Sequence, residues 1–215
     1  MRIDCGEPSG RAYDHLVKDG YVVLDRVIAP AALAPLRAAI ENMRLGTPVA
    51  SRRHVLPLAP AGAAADPLIC ANPAIVALAR EALDENAVLL GLMADSVLPG
   101  AAPLHVDRDG RPLFDAAISA LLPAHALTCV LPLDGPMELA VWPGSHRWKA
   151  RDENVAPKLI ELVPGSCLVR DARLLGSDTG NRSAARRIAL RAIYARRWFR
   201  DTLDGLQRPI MRTAA

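Results

Sequence analysis

Aromatic residues are scarce in this chain: two Phe, three Tyr and three Trp, 4% of 215 residues. So few rings leave little to stack on bases, which argues against a nucleic-acid binder. Lysine is scarcer still, at three against 23 arginines. No apolar run reaches the roughly 18 residues that span a bilayer, and the opening MRIDCGEPSGRAYDH lacks the apolar stretch of a secretory signal. The four cysteines, at 5, 70, 129 and 167, form no CxxC or other close pair, which argues against a zinc ribbon and a disulfide framework. A cytoplasmic protein with reduced thiols and no membrane partner is the expectation.

What is present predicts a packed domain. Hydrophobic residues make up 51% of the chain and charged residues 23%, too apolar for disorder. The length suits one domain, 1–215. The net charge of +3 is unevenly placed: eleven arginines against four acidic residues lie between Arg170 and Arg212. Such an end can meet nucleic acid or an acidic small molecule, or be only a solvated face. The arginine pairs at 52–53, 186–187 and 196–197 read as solvent-exposed.

Along the chain, 11–19 reads as a helix stopped by Gly20. The β-branched stretch 21–28 reads as a strand. Pro30 opens a second helix, with Leu33, Leu36, Ile40 and Met43 at helical spacing. The proline- and glycine-rich stretch 45–65 reads as a loop or lid, and a helix over 66–84 is interrupted at Pro73. Strands follow at 87–98, 127–133, 137–142, 158–163, 166–171 and 187–194, separated by Pro-Gly and Asp-Gly turns. A helical part over 11–84, a strand-rich core over 87–196 and a basic tail over 197–215 make an α+β protein built on a β-sandwich or jelly roll. Trp142, Trp148 and Trp198 read as core or interface residues, and Cys167 as buried and inert.

The sharpest local feature is Pro103-Leu104-His105-Val106-Asp107. In a strand, residues two apart share a face, so His105 and Asp107 can converge on one point. An imidazole and a carboxylate are two parts of a two-His, one-carboxylate iron site. The plainer reading is a polar strand end running into the Asp-Gly turn at 109–110.

Taken in order, DGYVVLDRVIAPAALAPLRAAI, HVD, VWPGSHRW and GSCLVRDARLLGSDTGNRSAARRIAL resemble the phytanoyl-CoA dioxygenase family of iron(II)- and 2-oxoglutarate-dependent oxygenases, over about residues 13–195. The resemblance implies a double-stranded β-helix, a cupin-like jelly roll with N-terminal helices packed outside. It implies His105 and Asp107 as iron(II) ligands and Arg187 as the grip on the far carboxylate of 2-oxoglutarate, with Arg186 on the opposite face. A guanidinium suits that carboxylate through two parallel hydrogen bonds. Ser177 is a further candidate for contact with the co-substrate.

The resemblance places the third ligand, a histidine, eleven residues after Gly165 and five before Asn181. Both counts land on Gly176, which has no side chain. Asp178, His146, His125 and His54 are candidate substitutes. Two functions follow: an oxygenase oxidising a lipid-like or secondary metabolite, or a repurposed relative that binds a small molecule or a partner protein, or works without metal. A nucleic-acid binder ranks third. The stretches 45–65 and 108–125 are candidate lids over the substrate.

Overall fold

Strand alternation decides which side of each β-segment faces which layer. In the computed structural model, which describes residues 1–4, 9–46, 48–110, 112–114, 118 and 121–200, eleven strands and four α-helices are present among the described residues. They run β1 (Arg2–Asp4), α1 (Ser9–Asp19), β2 (Tyr21–Asp25), α2 (Ala34–Glu41), β3 (Arg53–Pro57), α3 (Pro67–Cys70), α4 (Pro73–Ala82), β4 (Val88–Val97) and β5 (Asp107–Arg108). Then come β6 (Ala126–Pro132), β7 (Met137–Val141), β8 (Lys158–Leu162), β9 (Cys167–Asp171), β10 (Leu175–Asp178) and β11 (Arg187–Ala195). Cys5, Thr47, parts of 108–125 and the tail beyond residue 200 lie outside the described residues.

The strands form a seven-stranded sheet, β1-β2-β9-β6-β11-β4-β3, and a four-stranded sheet, β5-β10-β7-β8. One face of the large sheet buries Val22, Leu24, Leu127, Cys129, Cys167, Val169, Ile188 and Leu190 against Leu16, Leu36, Ile40 and Leu78 of the helices. The opposite face supplies Tyr21, Val23, Val130, Leu168 and Ala189, which pack on Met137, Leu139, Val141, Ile160 and Leu162 of the small sheet. The helices therefore stand outside a two-sheet body, as expected. No helix among the described residues is long and apolar enough to cross a membrane.

Local chemistry sets the helix ends. Asn72 accepts from the amides of Ala74 and Ile75 at 3.1 and 3.5 Å, so α4 starts at Pro73. Gly20 ends α1 at φ +80°, where a Cβ would also overlap His146 and Leu174. At the other edge, Arg2 donates from Nη1 to the Glu161 carbonyl of β8 at 2.8 Å, joining β1 of the large sheet to the edge of the small one.

Three readings of the sequence need correction. The 45–65 stretch is not all loop: β3 lies within it and pairs with β4 at the sheet edge. There the Arg53 side chain is buried, as is that of Arg187, so these two members of the arginine pairs are not solvent-exposed. Trp142 is buried, but Trp198 is 59% exposed. Cys167 and Cys129 are buried free thiols.

Candidate functional site

The charged residues of the large sheet gather at one end of the space between the sheets. Around β11, alternation sends Ile188, Leu190 and Ala192 toward the helices and Arg187, Ala189 and Arg191 inward. On β4, Ala94 faces the helices, while Asp95 and Val97 face inward. On β9, Val169 faces the helices and Arg170 joins Leu168 on the inner side. Apart from Leu168, these inward residues line a cavity of about 230 Å³, which the small sheet closes with Met137, Leu139, Gly176, Ser177 and Asp178.

Ion pairs organise the cavity. Asp178 accepts from Nη2 of Arg53 at 3.1 Å and from Nη2 of Arg187 at 2.5 Å. Arg191 pairs with Asp95 at 2.8 Å, and Arg170 with Asp109 at 2.5 Å. Arg187 also donates to the Gly180 carbonyl at 2.7 Å, and Arg53 to that of Ala102 at 2.7 Å. Burial would raise the carboxyl pKa of Asp178, but Arg53 and Arg187 outweigh it and hold the group below its ordinary value. Burial likewise opposes ionisation of Asp109, and Arg170 and Arg191 overcome it. At Asp95 burial prevails over Arg191, and its pKa is raised.

The expected metal residues stand at the rim. His105 and Asp107 line the cavity and are exposed. Only Asp107 lies in a strand, and its Oδ1 accepts from the Arg108 amide at 2.8 Å, a turn-like local bond. Ser177 also lines the cavity and donates to the Leu104 carbonyl at 2.6 Å. Arg187 is inside and Arg186 is directed elsewhere, donating to Ser96 Oγ at 2.7 Å.

Directly across the β5–β10 ladder from Asp107 is Gly176. A Cβ built on Gly176 would overlap Nη1 of Arg170. The space that a side chain at 176 would enter therefore holds a guanidinium, anchored by Asp109. Of the candidate substitutes, Asp178 is engaged by two arginines and His54 lines the cavity with Nδ1 against the Gly46 carbonyl at 2.9 Å. His146 is buried near α1, 3.2 Å from the Val17 carbonyl, and His125 packs on the Phe199 ring at 4.6 Å. Among the described residues, no group of three or more His, Cys, Asp or Glu side chains is placed to hold a metal ion.

Asp95, Asp109, Arg53, Arg170 and Arg191 were not singled out as site residues from the sequence. Strand periodicity was the available signal: Arg187 and Arg191 share a face, and Arg170 shares one with Leu168.

No protein-family profile and no curated protein sequence matches the chain. Solved structures do match. The non-heme alpha-ketoglutarate-dependent epimerase SnoN from nogalamycin biosynthesis superposes with TM-score 0.71 at 19% identity, over 87% of this chain and 82% of its own. HygX from Streptomyces hygroscopicus, with nickel and 2-oxoglutarate bound, gives 0.70 at 16% identity, over 88% and 87%. The alpha-ketoglutarate-dependent carbocyclase SnoK gives 0.68 at 18% identity, over 91% and 87%. The chain has their fold. It is the cupin-like, mostly-sheet fold of non-heme 2-oxoglutarate-dependent enzymes. SnoN has also been crystallised with Fe3+, alpha-ketoglutarate and nogalamycin RO, and HygX with iron. Iron and 2-oxoglutarate are thus the cofactors of solved neighbours of this fold. In this chain, Arg170 fills the space that a side chain at 176 would enter with a positive charge, which repels a dication. The described residues do not fit an iron centre with three protein ligands.

Proposed function

We propose that this chain is a single-domain, jelly-roll relative of the phytanoyl-CoA dioxygenase type that keeps the substrate cavity and has given up the iron centre. It binds a small anionic molecule in the space between the sheets, or acts on one without metal. The observation that carries this reading is the Arg170 guanidinium in the space of a side chain at 176, tied to Asp109. A buried ion pair of this kind is costly to dismantle, so Arg170 does not yield readily to a metal ion. Arg53, Arg187 and Arg191 line the same cavity, where Asp178 and Asp95 pair with them. The reactions of the solved neighbours, epimerisation and carbocycle formation on secondary metabolites, support a small-molecule ligand; nucleic acid and membranes are not part of the reading.

A second reading has its own support. His105 and Asp107 are exposed beside Ser177 at the cavity rim, where two protein ligands would hold iron(II) for an oxygenase with 2-oxoglutarate held by Arg187. Anaerobic titration with iron(II) and 2-oxoglutarate separates the two. The expected outcome is no visible charge-transfer band and no succinate on admission of air. A band and turnover that vanish in His105→Ala would establish the oxygenase instead.

A further inference from the structure

A second cavity opens on the helix side of the large sheet, and it too has a volume of about 230 Å³. Strand alternation gives β9 a part in both cavities: Arg170 lines the one between the sheets and Asp171 lines the second. The sheltered part of the second lining is apolar, made by Leu16 of α1, Ala82 at the end of α4, and Leu122 and Ala124 ahead of β6. Its mouth is apolar as well: Val17 and Leu121 line it while 41% and 79% exposed. Apolar side chains left exposed around a concavity mark a place where a ligand covers them.

The charges of this lining do not balance. Two guanidiniums, Arg147 and Arg173, face one carboxylate, Asp171, among the described residues. Arg173 takes both oxygens of Asp171, from Nε at 3.0 Å and from Nη2 at 2.7 Å, and gives Nη1 to the Leu122 carbonyl at 2.9 Å. Arg147 is exposed, its Nη2 donates to the Val17 carbonyl at 2.8 Å, and no carboxylate among the described residues pairs with it. His146 is buried with Nε2 3.2 Å from the same carbonyl. Burial holds its pKa below the ordinary value, so it is uncharged at neutral pH. The lining therefore offers one unpaired cation beside apolar walls. We propose that this cavity is a second ligand site, which takes a small apolar monocarboxylic acid. Its hydrocarbon body lies against Leu16, Ala82 and Leu122, and its carboxylate meets Arg147 through the paired donors of the guanidinium. A second charge on the ligand would fall on apolar surface or on Asp171, which is costly. The volume falls below the roughly 300–1,000 Å³ of pockets that take drug-sized ligands, so the acid is small. The site stands apart from the reading of the cavity between the sheets and survives its failure.

Calorimetric titration of the full chain with 3-phenylpropionate and with its neutral amide tests the proposal, and amide chemical shifts of the labelled protein locate the ligand. The expected result is binding of the acid, with the amide weaker by tenfold or more, about 1.4 kcal/mol. The shifts should concentrate at Leu16, Ala82 and Leu122. Arg147→Gln, at an exposed position that leaves the fold intact, should weaken the acid by the same factor and leave the amide unchanged. Ala82→Phe, which fills the cavity, should weaken both, and circular dichroism verifies that each variant is folded. Four outcomes overturn the proposal. Acid and amide that bind equally well remove the carboxylate from the recognition. An affinity for the acid that is unchanged in Arg147→Gln removes the cation. Shifts that gather at Ser177 and Ala189 instead place the acid between the sheets. No binding of the acid to the folded parent chain removes the site altogether.

Discussion

The two faces of the large sheet solve different problems with the same strands. On β11, Ile188, Leu190 and Ala192 turn outward to the helices and are close-packed among apolar side chains. Arg187 and Arg191, one residue out of phase, turn inward and are held by carboxylates. The outward face gains stability from burial, at about 25 cal/mol per Å² of apolar surface. The inward face spends stability on desolvated charge and recovers it only while each charge keeps its partner. The charged lining is confined to one end of the inner face, since Val23, Val130 and Leu168 on the same face pack on the small sheet as an apolar core.

The largest effect should come from breaking a charge on the inner face. Asp178→Ala leaves Arg53 and Arg187 buried without their shared carboxylate, and urea unfolding should show a loss of about 3–5 kcal/mol. Leu190→Ala on the outer face should lose about 2–5 kcal/mol through the cavity it creates, with small-molecule binding at the inner face unchanged. If Leu190→Ala altered binding, the two faces would not be independent.

A smaller effect tests the overlap at position 176. Gly176→His alone should be destabilised by about 1–3 kcal/mol, since the new side chain must displace Arg170. Combined with Arg170→Ala, it should be better tolerated than the two single changes added together, with a coupling of about 0.5–3 kcal/mol in a double-mutant cycle. Additive effects would mean that the guanidinium moves aside freely. The smallest effect is in pH. Asp178 has its pKa held below 3.8 in the folded chain, so its contribution to stability is fully present above that value and is lost as pH falls through the lower folded value. The stability gap between the parent and Asp178→Asn should therefore be widest at neutral pH and narrow on acidification below about 3.8. A gap that persists unchanged at the lowest pH would mean that the pair contributes nothing through charge.

The longer strands were legible because their β-branched runs are bounded by turn residues, and their bounds agree with the sequence reading to within one residue, save that β2 ends at Asp25 rather than at 28. The shorter ones were not. β3 is Arg-His-Val-Leu-Pro in a proline-rich setting, and it becomes a strand only because β4 offers an edge to pair with. β5 and β10 hold two and four residues and are defined by each other's hydrogen bonds. In the site, His105, Asp107, Arg187 and Ser177 could be singled out, and all four line one cavity. Arg170 could not be connected with Gly176, because they sit on different sheets and no spacing rule relates them. A glycine is visible in a sequence; the group that occupies the space beside it is visible only in three dimensions.

The contact between Arg2 and the Glu161 carbonyl bears on how the protein behaves at high concentration. A sheet edge with free backbone groups is a template for pairing with another chain. β1 covers β2 at one edge of the large sheet, and its Arg2 side chain reaches the outer strand of the small sheet. Three residues at the start of the chain thus guard two edges at once. A version shortened by residues 1–4 would present β2 and β8 to its neighbours, and self-association rather than unfolding would be the first sign of their loss.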